Sequence, residues 1–453
     1  MFKKVCSLGL LACMVMGSVP VYAEEIAQTP IQVAKWAQGD LYNAEISGLV
    51  PVGYLEVLTQ SITESQLNEI VVGLKNQCIQ AGLIEKDNSA ETVATTRGEV
   101  LNYYYNILKG YEGSIDLKED ALTYMQQAGV INGDEDKNLN LDRACTVQEA
   151  VIFASRIVSD LYKQTGTGTK GFLWEVSDED NKVYLLGTIH LGTAEMYPVS
   201  TQLNNVIKEV DNVSFEVDLN DQQGLVYLMQ KQMYLDGTTL KDHVDEETYK
   251  RTVDIFTTLG MTEEQTQMYK PWALANSLTV LSVQDNTDIT QAASYPAVDF
   301  YVYAKALLEE KQILEIEGYV FQSDLLDSIP VDYQIESLKA GLDMIEGKNA
   351  QVEGEIDESA LTQEWLAQFM ARDIEGFTTS YDKDGALASG DIMAKALFDG
   401  RDDHMTQKVV EYLNDESNET YIVTVGAGHM VGEKGIVKQL QDLGYTVNVV
   451  PVN

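Results

Sequence analysis

The chain has 453 residues, of which 45% are hydrophobic, enough for about two to four domains with buried cores. Asp and Glu total 71 against 31 Lys and Arg, so the formal net charge is −40. A surface this acidic repels the phosphates of nucleic acids. This argues against a nucleic-acid-binding function and suits a soluble protein.

The first residues, 1–23, are predicted to be an export signal. Lys3 and Lys4 form a positive start, an apolar stretch follows, and small residues ending at Ala23 resemble a cleavage site. A second interpretation makes Cys13 the lipid-anchored residue of a bacterial lipoprotein. No later stretch is apolar enough for long enough to span a bilayer. We therefore expect a secreted, extracellular protein that is free, associated with the cell wall or tethered by lipid.

The next part of the chain shows a helical pattern. Three Thr-x-x-Glu/Gln boxes, which begin at Thr63, Thr96 and Thr146, each precede an amphipathic run. Shorter helices are predicted over 36–46 and 121–128, ahead of the first and third boxes. The order of short helix, turn, capping box and long helix predicts a mainly helical N-terminal domain.

This order resembles the S-layer homology repeat, best over 119–162 and more weakly over 34–77. In that family the repeats bind cell-wall polysaccharide. The family has an arginine after the threonine of the box, where this chain has Glu64 and Val147. A purely structural helical domain is the alternative, and the sequence leaves both open.

Only two cysteines remain beyond the signal segment, Cys78 and Cys145. They are too few for a disulfide scaffold or a cysteine-rich zinc site. One bridge and two buried free thiols are both compatible with their positions.

The C-terminal domain shows an α/β pattern. Residues 166–170 are small, polar and flexible, as in a linker, and divide the helical domain 24–165 from this domain, 171–453. The first two strands flank a polar turn and predict a hairpin. The order strand, helix, strand then predicts a right-handed crossover and a parallel pair, and the chain end repeats that order. The predicted strands are 172–176, 183–186, 213–217, 313–316, 421–425 and 445–450, with a mostly helical middle.

Two of the four histidines end a Gly-x-x-His motif at the exit of a strand: His190 and His429. Glycine allows a sharp turn, and open α/β sheets place their chemistry outside the carboxyl ends of the strands. Parallel strands bring those ends to one edge, so Glu216, late in its strand, is expected there too. Asp218 lies on the same strand face and is the reserve candidate.

This domain resembles the TraB/GumN family, which includes TIKI-type metalloproteases and pheromone-shutdown proteins. The resemblance covers almost all of 171–453 and is carried by residues 184–192, 215–218, 270–272, 297–299, Glu317 with Gln322, Arg401 and 425–432. It implies a fold of two related halves, similar to erythromycin-esterase and ChaN-like proteins. It also implies a divalent-metal site that uses both motif histidines and the strand glutamate. The family usually has Asn after the arginine, where this chain has Asp402.

Two neutral imidazoles and a carboxylate form a common hydrolytic metal site. We expect His190 and His429 to be ligands, with Glu216 as third ligand or general base. Manganese, cobalt or zinc suits such mixed ligands, and the resemblance favours the first two. The metal lowers the pKa of water and polarises a carbonyl. The alternative is that each histidine only caps a turn through hydrogen bonds.

Four further residues are considered for the site. Two of them have two interpretations each, and the other two are expected to be structural. Arg401 is expected either to neutralise a developing oxyanion or to form a salt bridge. Glu317 either orients a ligand or is a carboxylate that faces water. His243 is expected in a solvated loop and His404 on a surface helix.

The leading hypothesis is an exported, divalent-metal-dependent hydrolase, a peptidase that acts on a peptide or secreted protein. The second is a non-catalytic cell-envelope protein that sequesters a peptide signal or a metal-containing ligand. The third is an esterase that uses the same site. Metal content and turnover on peptides and esters separate the three.

Overall fold

The computed structural model describes residues 33–86, 95–134, 136–178, 181–283, 295–348 and 358–452. The predicted export signal, with Ala23 and Cys13, lies outside these residues. The described residues form two compact units. One contains residues 33–170 together with 193–205, and the other contains 171–192 together with 206–452.

The first unit is mainly helical, as predicted. Its elements are α1 (Lys35–Ile46), a 3-10 turn (Tyr54–Val57), α2 (Glu64–Gln80), β1 (Ile84–Glu85), α3 (Arg97–Lys109), β2 (Tyr111–Glu112), α4 (Ala121–Gln127) and α5 (Val147–Thr165). The helices predicted at 36–46 and 121–128 are confirmed to within one residue. All three predicted capping boxes form, each with its threonine at the N-cap.

The third capping box also joins two helices. The Thr146 hydroxyl accepts a hydrogen bond from the Glu149 amide at 3.2 Å, and the Glu149 carboxylate accepts one from the Thr146 amide at 3.0 Å. Arg97, on α3, and Arg143 both form ion pairs with the same carboxylate. The Arg97 guanidinium also lies 5.2 Å from the centre of the Phe153 ring on α5. Arg97, which follows the threonine of the second box, therefore ties α3 to α5.

Cys78 and Cys145 are both buried and free. Burial is the main cause that raises the pKa of each thiol to about 12. Of the two alternatives that the sequence left open, the structure therefore shows buried thiols rather than a bridge.

The second unit is built on a six-stranded mixed sheet. Its strands are β3 (Phe172–Ser177), β4 (Lys182–Thr188), β5 (Asn212–Phe215), β6 (Gln312–Glu315), β7 (Thr420–Gly426) and β8 (Val447–Val449). Their order across the sheet is β6-β5-β7-β4-β3-β8. β6, β5, β7 and β4 run parallel, whereas β3 runs antiparallel to both of its neighbours. The hairpin and the strand at 313–316 are confirmed.

The predicted pairing of β4 with β5 is wrong. The two strands are parallel, but β7 lies between them. A strand–helix–strand order fixes direction more reliably than adjacency, because a strand from a distant part of the chain can insert. Here β7 follows β5 by about two hundred positions and still takes the central place.

The remaining helices lie before, between and after these strands. They are α6 (Thr201–Glu209), α7 (Gln222–Gln232), α8 (Leu240–His243), α9 (Glu246–Thr258), α10 (Glu263–Thr266), α11 (Pro271–Val283), α12 (Val298–Leu308), α13 (Tyr319–Asp327), α14 (Val331–Ile345), α15 (Glu358–Ala371), α16 (Ile374–Tyr381), α17 (Lys383–Ala388), α18 (Ile392–Phe398), α19 (Arg401–Leu413), α20 (Ala427–Met430) and α21 (Ile436–Asp442), with a 3-10 turn at Ala194–Met196. Among the described residues, no helix combines the length and apolarity needed to cross a membrane.

The central strands position the candidate site. Every residue of β5, and every residue of β7 after Thr420, is buried, whereas the edge strands β6 and β8 are largely exposed. Strands that are buried on both faces require helices on both sides of the sheet. The carboxyl ends of β4, β5 and β7 therefore open at one edge of a covered sheet.

Candidate metal centre

Strand register brings the predicted site residues together. The last residue of β4 pairs with Gly426, the last residue of β7, and β5 ends beside β7 at Phe215. His190 follows β4 by two residues, and Glu216 follows β5 directly. The expectation that Glu216 lies within its strand is wrong, since the strand ends one residue earlier. That position lets its side chain turn towards the neighbouring strand ends.

Three side chains surround Gly426. A Cβ on this glycine would lie 3.3 Å from Nε2 of His190, 3.6 Å from Oε1 of Glu216 and 3.6 Å from Cδ2 of His429. Nε2 of His190 is 4.0 Å from Oε1 of Glu216. Two motifs that are far apart in the sequence thus meet within a few ångströms, and a glycine at this position leaves space between them.

The first motif also depends on a glycine. A Cβ on Gly187 would lie 3.1 Å from Cα of Ala427 and 3.1 Å from Cγ of Met430. The missing side chain lets the turn that carries His429 approach the end of β4 closely. The two Gly-x-x-His motifs are therefore packed against each other.

Each histidine is held by an aspartate. Nδ1 of His190 lies 3.0 Å from Oδ2 of Asp299, and Nδ1 of His429 lies 2.7 Å from Oδ1 of Asp402. An ionised carboxylate only accepts hydrogen bonds, so in the neutral ring Nδ1 carries the proton and Nε2 carries the lone pair. Both Nε2 atoms are buried and have no hydrogen-bond partner among the described residues.

Burial, the largest single cause, lowers the pKa of His190, but the charge and hydrogen bond of Asp299 together with the charge of Glu216 outweigh it and raise the pKa above its ordinary value. A carboxylate behind an imidazole makes the ring more basic and fixes its orientation, as is usual for histidines that ligate metals. An orphaned, buried and oriented Nε2 is what such a ligand requires. The turn-capping alternative does not describe these nitrogens, because neither Nε2 atom makes a hydrogen bond among the described residues.

Glu216 is fixed by three donors. Oε1 accepts a hydrogen bond from the Gly426 amide at 2.8 Å. Oε2 accepts one from Gln322 and one from Arg401, each at 3.0 Å. Burial, the largest single cause, raises the pKa of Glu216, but the positive charges of His429, Arg401 and His190 and the hydrogen bond from the Gly426 amide together outweigh it and lower the pKa to about 2. The side chain is therefore a carboxylate near neutral pH.

Arg401 forms a buried ion pair with two carboxylates. Its guanidinium donates to both oxygens of Glu317, at 2.8 and 2.6 Å, as well as to Glu216. Gln322 donates to Glu317 at 2.7 Å. The side chain of Glu317 is fully buried, so of its two interpretations the one in which it faces water is wrong. The salt-bridge alternative for Arg401 is what the structure shows.

The reserve candidate, Asp218, is engaged elsewhere. Its carboxylate accepts a hydrogen bond from the Tyr303 hydroxyl at 2.6 Å, and its amide donates to Glu315 at 2.9 Å. The alternation that placed it beside Glu216 assumed a strand through both residues, but the strand has already ended.

The other two histidines have structural contacts. His243 ends the short helix α8, stacks on Tyr234 with ring centres 4.4 Å apart, and lies 3.0 Å from the Thr238 hydroxyl. Its expected place in a solvated loop is wrong. His404 is exposed on α19 and bonds to the Ile316 carbonyl at 3.0 Å, which confirms the surface-helix expectation.

Three residues behind the site carried little or no signal in the sequence. Asp299 stood within a family segment but had no assigned role, and Asp402 was visible only as a departure from the family's Asn. Lys383, which forms an ion pair with Asp402, had no motif at all. Each of these three residues lies on a different helix, so the side chain that it contacts can be recognised only in the folded chain.

The fold and the site define an α/β protein with two buried histidines and a glutamate at one edge of a mixed sheet. The chain belongs to the TraB/PrgY/gumN family, whose family model matches residues 172–449, more than half of its length. The resemblance seen in the sequence is thereby confirmed for this family; S-layer homology repeats are not shown.

Distant relatives carry the name metalloprotease. The chain is 22% identical over 322 residues to metalloprotease TIKI1 of Danio rerio. The matched region covers 62% of this chain and 63% of that protein. The chain is also 22% identical over 318 residues to a metalloprotease TIKI homolog of Nematostella vectensis, with coverage of 62% and 67%. The chain thus spans less than two thirds of the length of the Danio rerio protein. No solved structure matches the chain.

Proposed function

We propose that this chain is a divalent-metal-dependent hydrolase that cleaves peptide or protein substrates. One observation carries the proposal: the rings of His190 and His429 lie beside Gly426, each has a buried Nε2 without a partner among the described residues, and an aspartate holds each ring at Nδ1. The metalloprotease names of the distant relatives support the same class of reaction.

His190 and His429 are the proposed metal donors through Nε2. Within the described ranges, no three His, Cys, Asp or Glu side chains form a complete metal-binding cluster. The proposal therefore rests on the two Nε2 atoms that have no partner among the described residues, and Glu216, whose Oε1 lies 4.0 Å from Nε2 of His190, is the proposed third ligand or general base. Manganese, cobalt or zinc is the proposed ion. When bound, it supplies an electrophile for a carbonyl oxygen and lowers the pKa of water.

The protein's own contribution is orientation. Asp299 and Asp402 hold the imidazoles in the tautomer that presents Nε2. Gly426, Gln322 and Arg401 hold the Glu216 carboxylate at a fixed angle beside them. Every one of these side chains is nearly or fully buried, so the electrostatic interactions of the site act in a medium of low polarity.

Arg401 acts on the site through Glu216 in this proposal. Its guanidinium already binds Glu216 and Glu317, and it is only 3% exposed. Direct stabilisation of an oxyanion by Arg401 stays a prediction that the ion pair does not support.

Metal analysis and turnover test the proposal together. Purified full-length protein is expected to hold about one divalent ion per chain, because the described part of the chain brings together one pair of imidazole nitrogens without partners. The His190→Ala and His429→Ala variants should lose the ion, while His404→Ala, on a surface helix, should retain it. Cleavage of a fluorogenic peptide library should stop with a chelator and return with manganese, cobalt or zinc.

The same measurements separate the alternatives. Metal binding without turnover on peptides or esters would favour a non-catalytic binder of a peptide signal or ligand. Turnover on esters alone would favour an esterase. Protein without bound metal, and with activity insensitive to chelators, would contradict the hydrolase proposal.

Export and wall attachment form a separate proposal. It is supported by the signal-like residues 1–23 and by the three capping boxes of the N-terminal unit. The proposed division places the helical domain at 24–165, a linker at 166–170 and the hydrolase domain at 171–453. We expect the protein to sediment together with purified cell-wall polysaccharide. Protein that stays in the supernatant would leave the helical unit as a structural domain.

A further inference from the structure

Lys383 is a buried lysine that contacts Asp402, the aspartate that holds one of the two histidines. It begins α17, and its side chain is 1% exposed. Its ammonium forms an ion pair with Asp402 and donates to the carbonyls of Gly428 at 2.9 Å and Val431 at 3.0 Å. These carbonyls lie on either side of His429 in the sequence.

All three donors of the ammonium are therefore in use. A buried ammonium is costly unless it is paired and hydrogen-bonded, so a lysine at this position is there for its contacts. The ring of Phe398 lies 4.7 Å from the ammonium and also packs edge-on against His429, with ring centres 5.3 Å apart. Lys383 thus touches the carboxylate, the backbone and the aromatic wall around one imidazole.

Among the described residues, the other histidine has no equivalent arrangement. Asp299 accepts from His190 through Oδ2, and its second oxygen, Oδ1, has no hydrogen-bond partner among the described residues. The second oxygen of Asp402, by contrast, faces the Lys383 ammonium. The two aspartate–histidine pairs are therefore built differently, which provides an internal comparison within one molecule.

We propose that Lys383 is a positioning residue for His429. It forms an ion pair with the Asp402 carboxylate and clamps the turn, so that Asp402 stays an acceptor only and His429 keeps the Nδ1–H tautomer, with its ring beside Gly426. The inference rests on the proposed function only where Nε2 serves as a metal donor. The tautomer itself is a property of the metal-free protein and can be measured without any activity.

Nitrogen-15 NMR of histidine side chains tests the tautomer. Four histidines give few signals, so each can be assigned by substitution. In metal-free, full-length protein at mildly alkaline pH, His429 should show a protonated Nδ1. In Lys383→Met, which keeps chain length but removes the charge, His429 should shift towards mixed tautomers, while His190 should not change.

Lys434→Met is the matched control. Lys434 lies five positions after His429, but its side chain is 64% exposed and pairs only loosely with Asp399, at 3.4 Å. This variant should leave both histidine signals as they are. An unchanged His429 signal in folded Lys383→Met, or an Nε2–H tautomer in the unmodified protein, would overturn the proposal.

Isothermal titration calorimetry with zinc chloride gives the second readout. Losing a group that orients a ligand lowers metal affinity by about 10–100-fold, and Lys383→Met should fall in that range while Lys434→Met does not. Unmodified protein that binds no divalent metal would refute the proposed function, yet the NMR result would still decide the role of Lys383. Wild-type zinc affinity in folded Lys383→Met would contradict the inference.

A second variant covers failure of Lys383→Met to fold. Lys383→Arg keeps a cation beside Asp402 and is expected to retain the Nδ1–H tautomer of His429. A folded Lys383→Arg protein without that tautomer would contradict the charge argument.

Discussion

At the scale of single residues, Gly426 decides whether the two histidines and the glutamate have room to bind one metal ion together. Its φ of −52° and ψ of 136° are open to any residue, so the absence of a side chain is not a backbone requirement. A Cβ at this position would have three neighbouring atoms within 3.6 Å, and they belong to the side chains of His190, Glu216 and His429. Under the proposed function, the glycine leaves space for a metal ion between these side chains.

The Gly426→Ala variant should fold normally and bind metal poorly. The new methyl group would occupy the space next to Nε2 of His190, so zinc affinity should fall at least about tenfold, as when a ligand is misoriented. Gly428→Ala is the contrasting control. Its Cβ would lie 2.6 Å from the Tyr381 hydroxyl and 3.0 Å from the Phe398 ring, so overpacking should cost about 1–3 kcal/mol of stability.

Calorimetry and thermal unfolding of both glycine variants check this contrast. Zinc affinity that survives in Gly426→Ala would mean that the ion binds elsewhere.

Glu216→Gln should abolish turnover without unfolding the protein. The Arg401 guanidinium would keep the Glu317 carboxylate, so no buried charge is left without a partner. Loss of a general base lowers the rate by about 10²–10⁴-fold. Retained metal in the inactive variant would mark Glu216 as a base, and lost metal would mark it as a ligand. Full activity on a peptide library would exclude both roles.

At the scale of elements, the sequence predicted the local patterns, whereas the order of the strands and the partners of the histidines could not be predicted from it. Capping boxes involve residues three positions apart, so the sequence located α2, α3 and α5 directly. The place of β7 between β5 and β4 depends on strands from opposite ends of the domain, which no local pattern encodes. The histidines carry a motif that repeats, whereas Asp299 lies 109 positions from His190 and becomes its partner only through folding.

The third capping box should matter more than the first. The Glu149 carboxylate serves Thr146, Arg97 and Arg143 together, whereas the box at Thr63 is exposed and involves a neutral glutamine. Removing an N-cap hydroxyl typically costs about 0.5–2 kcal/mol. Thr146→Ala should lie near the upper end of this range and Thr63→Ala near the lower end.

Urea unfolding followed by far-ultraviolet circular dichroism compares the two threonine variants. Equal losses, or a larger loss in Thr63→Ala, would show that the shared ion pairs do not strengthen the third box.

At the scale of the whole molecule, the net charge of −40 is the dominant electrostatic property. Self-repulsion of like charges destabilises a compact state, and salt shortens its range from about 10 Å at 0.1 M to about 3 Å at 1 M. The thermal midpoint should therefore rise when sodium chloride is added at neutral pH. An uncharged osmolyte at equal osmolarity is the control. A midpoint that falls with salt would indicate that ion pairs outweigh the repulsion.

The central claim is that His190 and His429 share one metal ion at the carboxyl edge of the sheet. A crystal of the full chain soaked in zinc, with anomalous diffraction recorded at the zinc edge, tests this claim most directly. The account predicts a single strong peak with both Nε2 atoms at about 2.0–2.1 Å. A peak bound to other side chains, or no peak between the two imidazoles in a fully soaked crystal, would contradict it.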